Sequence, residues 1–208
     1  MTAYVIGLTG PMGAGKSTVA QMLRELGAKV LDADAIVRDE QSRGTLGYTA
    51  IVQRFSTKIL GPDKEIDRAK LAEEVFSDPE KLAQLERIMH PRVIARVLEA
   101  RSMVPNGSIL AVEAIKLLES SLRSACDEVW VVVAPREAMI ERLAARGVPR
   151  GEAEARLRFQ RAEDEFRSAA DAVIENSGDR EATRNAVRAA FERARAKAGP
   201  GSSRAAGT

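Results

Sequence analysis

The chain has 208 residues, 45% of them hydrophobic, which suits one α/β domain with an insertion or lid and leaves no need for a second full domain. Its net charge of +2 is uneven: after Gly178 seven Lys/Arg (Arg180, Arg184, Arg188, Arg193, Arg195, Lys197, Arg204) face three acids (Asp179, Glu181, Glu192), so this segment is +4 and the remainder −2. Phe191 is the only aromatic there for stacking bases, Cys126 is the only cysteine, and no apolar run approaches a membrane span or signal peptide; these features argue against nucleic-acid binding, disulfides, cysteine-rich metal sites and membrane insertion, and fit a reducing cytoplasm.

The apolar run Tyr4–Leu8 reads as a strand feeding Gly10-Pro11-Met12-Gly13-Ala14-Gly15-Lys16-Ser17-Thr18, and Ser17–Leu23 carries apolar residues at helical spacing. The spacing G-x-x-x-x-G-K-S between a strand and a helix is that of a phosphate-binding loop. Its glycines remove side chains where the backbone turns and aims N–H groups at phosphate oxygens, and the helix start adds partial positive charge. Lys16 is expected on the β- and γ-phosphates, Ser17 on magnesium and Thr18 on the α-phosphate, with Pro11, Met12, Gly13, Ala14 and Gly15 forming the cradle. The bland alternative is a glycine-rich turn that binds nothing.

Gly27 suits the end of the first helix, and the short strand Lys29–Leu31 delivers Asp32-Ala33-Asp34 at its C-terminal end, where parallel sheets place ligands. Either aspartate alone could be a helix cap; the pair beside a phosphate loop reads as acceptor chemistry, and Arg38 shares a face with Asp34 if Asp34 opens a helix. From Thr45 to Met103 the pattern is helical. Asp67 caps Arg68–Phe76, a second helix runs from Pro79 to Met89, and His90-Pro91 predicts a boundary before a third with Ile94, Val97 and Leu98.

Strand signals return at Ser108–Glu113 and Glu128–Ala134, both continuous apolar runs of the buried kind. Helices are expected from Arg136 to Arg146, stopped by Gly147, and from Arg150 to Gln160. Together these carry Arg142, Arg146, Arg150, Arg156, Arg158 and Arg161, which read as a lid over ATP; Arg142 is the first choice for phosphate and Arg146 the second, the others being solvated. A last strand, Ala172–Glu175, turns at Asn176-Ser177-Gly178, a loop placed to meet the adenine ring. An amphipathic helix from Asp179 to Ala198 follows, and residues 199–208 are expected to be disordered.

Gly7-Leu8-Thr9-Gly10 into the loop, Asp32-Ala33-Asp34 with Arg38, His90-Pro91-x-Val93, the arginine-bearing lid with Gln160, and Ala170-Asp171 leading to Asn176-Ser177-Gly178 occur in the order found in dephospho-CoA kinases, which the chain resembles up to its final helix. The resemblance implies an α/β P-loop kinase fold with a parallel five-stranded sheet flanked by helices, a helical substrate-binding insertion and a helical lid. The expected division is a nucleotide-binding core (1–44, 104–135 and 170–198), a CoA subdomain (45–103), a lid (136–169) and a tail (199–208).

The implied reaction moves the γ-phosphoryl of ATP to the ribose 3′-hydroxyl of dephospho-CoA, the last step in making coenzyme A. Lys16, Asp34 and Arg142 would be catalytic, with Asp34 as general base. ATP would meet the loop, Arg142, Arg146 and Asn176; the acceptor would meet Asp34, Arg38 and His90, although His90 also suits plain packing. Magnesium would sit on Ser17 and, through water, Glu113. ATP and dephospho-CoA are the expected partners, without nucleic acid or membrane, for a monomer or weak homo-oligomer. One stretch departs from the family: where Asp-x-Pro-Leu-Leu-Phe-Glu is usual, the chain has Glu113-Ala114-Ile115-Lys116-Leu117-Leu118-Glu119, which keeps a carboxylate at the strand end and touches the shape of the acceptor pocket.

Other readings are a nucleoside or nucleotide kinase, a GTP switch and a partner- or nucleic-acid-binding module. The switch lacks its guanine-reading motif, since Thr57-Lys58-Ile59-Leu60 has no aspartate; the binding module would rest on the basic C-terminal segment alone.

Overall fold

The computed structural model describes residues 2–199, so the expected disordered tail, apart from Gly199, lies outside the described residues. In chain order the elements are β1 (Tyr4–Thr9), α1 (Lys16–Glu25), β2 (Lys29–Asp32), α2 (Ala33–Glu40), α3 (Leu46–Phe55), α4 (Arg68–Phe76), α5 (Pro79–Met103), β3 (Ile109–Glu113), β4 (Glu128–Val133), α6 (Arg136–Ala144), α7 (Arg150–Arg158), α8 (Glu163–Ser168), β5 (Ala172–Glu175) and α9 (Arg180–Ala198). They form two compact units: residues up to Asp32 together with those from Glu99 onward, and Ala33–Leu98.

The first unit is built on a five-stranded sheet of order β2-β3-β1-β4-β5 in which every neighbouring pair is parallel. All six residues of β4 are buried, as expected of a strand covered on both faces. Ile6, Leu8, Trp130, Val132 and Ile174 from the sheet pack with Val19 and Leu23 of α1, Ile140 and Leu143 of α6, Leu157 of α7, and Val187 and Phe191 of α9. Each such side chain contributes about 1.5–3 kcal/mol by leaving water. The helices that carry the arginines thus have opposite faces sewn into the core. β1 is central, with β3 on one side and β4 on the other, so the loop leaving it opens at the point where strand order reverses, the usual ligand position of such sheets.

The unit Ala33–Leu98 is helical and has its own core of Ile51, Phe55, Ile59, Leu71, Val75 and Met89. Its helix starts are capped by side chains: Thr45 accepts the Tyr48 N–H at 3.0 Å, Asp67 accepts Ala69 and Lys70, and Asp78 accepts Glu80. One expectation fails here. Pro91 does not divide two helices; α5 runs unbroken from Pro79 to Met103 with the proline inside it. Pro91 removes one N–H and crowds the preceding turn, at about 3 kcal/mol, and the burial of Met89 on one side and Val93 on the other outweighs that local cost. Among the described residues no helix is long and apolar enough to cross a membrane.

Candidate active site

The loop between β1 and α1 depends on glycine at close approaches, those of Gly13 and Gly15 among them. Gly15 has φ 97°, and a Cβ there would fall 2.0 Å from Asn176 Nδ2; Gly13 has φ 79°, and its Cβ would fall 2.7 Å from the Met139 carbonyl oxygen. Backbone therefore packs where any side chain would collide. Gly15 gives α1 no side-chain cap, so the helix start offers its partial positive charge to an outside acceptor. Lys16 is only 8% exposed, and its Nζ donates to the carbonyls of Gly10 (2.9 Å) and Pro11 (3.0 Å). Pro11, which has no N–H, thus serves the loop through its carbonyl, which also accepts the Ala14 N–H at 3.2 Å. Ser17 is exposed and Thr18 half-buried.

Two side chains from later in the chain hold this loop. The Arg142 guanidinium donates through Nη1 to the carbonyls of Gly13 (3.3 Å) and Ala14 (3.1 Å) and through Nη2 to that of Asn176 (3.0 Å). The Asn176 side chain, expected near adenine, is buried with Nδ2 on the Ala14 carbonyl at 2.7 Å, while its Oδ1 accepts from Thr183 Oγ1 at 3.3 Å. Beside them a cleft of about 620 Å³ is lined by Ser17, Thr18, Arg142, Arg146, Asn176 and Arg180, among others. It is open, and Arg142, Arg146 and Arg180 make it positively charged.

The remaining arginines divide. Arg150 is paired with Glu137 and Glu154, Arg156 with Glu152, and Arg161 with Glu119 and Glu165, all at exposed positions where water and salt screen the pair and little stability results. At the C-terminal end of the sheet, Asp32 stands opposite Glu113 in register, and Glu113 stands opposite Leu8 one residue before β1 ends. Two carboxylates thus occupy neighbouring strand ends on the side of the phosphate loop. Asp34 opens α2 and Arg38 lies one turn later on the same face; both belong to the helical unit, as does His90 within α5.

The sequence profile described as dephospho-CoA kinase matches residues 4–182. The chain belongs to the dephospho-CoA kinase family. It is 43% identical to a dephospho-CoA kinase of Geobacter metallireducens over 188 residues, 88% of this chain and 92% of the relative. A dephospho-CoA kinase of Thermobifida fusca is 41% identical over 177 residues, 85% and 88% of the two chains. The solved structure of dephospho-CoA kinase from Campylobacter jejuni superposes with a TM-score of 0.68 at 27% identity, covering 93% of this chain and 98% of that one.

Against the dephospho-CoA kinase pattern, the stretch from Glu113 to Glu119 keeps Leu117 and Glu119. Leu117 is fully buried, with its Cδ2 2.5 Å from where a Gly7 Cβ would stand, and Glu119 accepts from Arg161 Nε at 2.5 Å. The departing residues Ile115, 45% exposed, and Lys116 lie at the surface. The resemblance names Gln160 in the lid without a role, and the structure gives it one, its Oε1 accepting the Met12 N–H at 2.9 Å; the sequence does not single out Thr183, which orients Asn176. Periodicity gave no signal for either, because each acts on a residue distant in the chain or through a loop.

Proposed function

We propose that the chain transfers the γ-phosphoryl group of ATP to the ribose 3′-hydroxyl of dephospho-CoA, giving coenzyme A. The observation that carries this reading is Lys16: a nearly buried ammonium fixed by two carbonyls of a glycine-built loop, in a chain of the dephospho-CoA kinase family. Phosphoryl transfer needs positioning and charge neutralisation far more than covalent help. Lys16 neutralises the β- and γ-phosphates, N–H groups of the loop such as those of Gly13, Gly15 and Ser17 cradle them, and Thr18 donates to the α-phosphate. Arg142 brings positive charge to the loop while bracing its carbonyls, and it lines the cleft with Arg146 and Asn176, where the adenosine end is received. Asp34 is the general base that orients the acceptor hydroxyl and takes its proton, a role worth about 10²–10⁴-fold. Arg38 and His90 hold the acceptor.

Magnesium fits this chain as an ion carried by the nucleotide. It takes one or two protein oxygens and fills its shell with phosphate and water, and the exposed Ser17 hydroxyl at the start of α1 is of that kind, with the Glu113 carboxylate acting through water. Among the described residues no group of three or more His, Cys, Asp or Glu could hold a metal unaided. When bound, the ion supplies positive charge to the β- and γ-phosphate oxygens. The reaction is assigned to the cytoplasm and to a monomer or weak homo-oligomer; burial pushes the Cys126 thiol up to about 11, which keeps this single cysteine unreactive.

The test is ADP release by the purified protein with magnesium-ATP, comparing dephospho-CoA with adenosine, uridine, AMP, CMP and dTMP, and locating the new phosphate by NMR. Stimulation by dephospho-CoA alone, with phosphate on the 3′-oxygen, is expected. Stimulation by another acceptor moves the chain's substrate elsewhere and directs attention to Ile115 and Lys116.

A further inference from the structure

Gln160 follows α7 and reaches the phosphate loop, where its Oε1 accepts the Met12 N–H at 2.9 Å. A backbone N–H is accepted only by the oxygen of a side-chain amide, so this bond fixes which end is which. The two donors on Nε2 find no acceptor among the described residues. The next residue holds the segment from the other side: Arg161 Nε donates to Glu119 Oε1 at 2.5 Å and its Nη1 to Glu165 Oε2 at 3.3 Å. Met12 follows β1 and Glu119 lies in the turn after β3, and β1 and β3 are neighbours. Glu119, Arg161, Gln160 and Met12 thus make a strap across the C-terminal ends of these two strands.

An amide whose oxygen is committed to the loop and whose nitrogen keeps two donors is suited to an anion held in that loop. We propose that Gln160 positions the transferring phosphoryl group, its Oε1 fixing the Met12 peptide and its Nε2 donating to an oxygen of the γ-phosphate. The inference rests on the reaction proposed above. A brace without this second role would use the oxygen alone, and the two cases separate in Gln160→Glu, which keeps an acceptor for Met12 while replacing both donors by negative charge.

The experiment measures magnesium-ATP and magnesium-ADP binding to the full chain by calorimetry without acceptor, and then turnover with dephospho-CoA. In Gln160→Glu, ATP affinity falls about tenfold or more, ADP affinity stays within about twofold, and kcat falls about 10–100-fold. Measured against wild type at the same pH, part of the kcat loss returns as the pH is lowered toward the carboxyl range, where a protonated Glu regains a donor. Equal changes for ATP and ADP, or none, overturn the proposal. Should Gln160→Glu melt early, Gln160→Met gives the same affinity ratio without added charge, and unchanged discrimination between ATP and ADP in it is equally fatal. Wild-type protein that binds ATP but does not phosphorylate dephospho-CoA overturns the acceptor assignment instead, and the ratio of affinities still judges Gln160.

Discussion

The two ends of the sheet use opposite chemistry. At the N-terminal ends of the strands, acids take up N–H groups: Asp127 Oδ2 accepts Val5 N–H at 2.7 Å and Arg101 Nη2 at 2.9 Å, and Asp171 Oδ2 accepts Val129 N–H at 2.7 Å. Glu128, buried at the start of β4, accepts the Trp130 indole at 2.9 Å and pairs with Lys197. At the C-terminal ends the polarity is reversed, since Lys16, Arg142 and Asn176 all donate to carbonyls of the loop. Satisfying carbonyls with cations and an amide turns the loop's N–H groups toward a ligand. One end is closed and holds the fold; the other is held from behind and left receptive to an anion.

Substitutions should therefore divide into losses of chemistry and losses of stability. The largest loss of chemistry is expected for Lys16→Ala, which lowers turnover by at least about 10³-fold while the melting temperature moves by only a few degrees; near-normal turnover would sink the loop assignment. Asp34→Asn, two residues beyond β2, lowers kcat by about 10²–10⁴-fold and leaves ATP affinity nearly unchanged, and a collapse of ATP affinity would recast Asp34 as a metal or structural residue. Gly15→Ala crosses the division: its positive φ and the collision with Asn176 cost about 1–3 kcal/mol in chemical denaturation and weaken ATP binding together.

The smallest effect belongs to the closed end. Burial by itself would raise the Glu128 carboxyl, but Lys197, the Trp130 indole and Tyr4 together hold it below the usual carboxylate range. A depressed folded value means that its stabilisation is present above the unfolded carboxyl value, about 4.3, and is lost as pH falls through the folded one. Glu128→Gln is expected to cost about 1–2 kcal/mol at neutral pH, with turnover intact and the gap from wild type closing in acid. Urea midpoints measured across pH check this, and a gap that stays constant into acid would show that the charge of Glu128 is not what stabilises.

The phosphate loop and the five strands were legible in sequence because their determinants are local: glycine spacing, continuous apolar runs and a Lys-Ser pair. Pro91 misled because the rule that proline ends helices is also local, whereas the burial of Met89 and Val93 is tertiary. Arg142 could be picked out as important from an arginine-rich helix, yet its three carbonyl partners lie 129, 128 and 34 residues away, beyond any periodicity. Gln160 and Met12 are 148 residues apart. The residues of the site were visible as types; the bonds that aim them belong to the assembled sheet.

The bond between Asn176 and Ala14 joins positions separated by 162 residues, and Arg142 is held between the same two segments. This sets an order of events as the chain is synthesised. The loop is made well before Asn176, and its Ala14 carbonyl gains the Asn176 amide only after β5 has docked beside β4. A ribosome-bound intermediate ending before Asn176 carries the complete signature without this clamp, so nucleotide consolidates the newborn protein more firmly once β5 is in place.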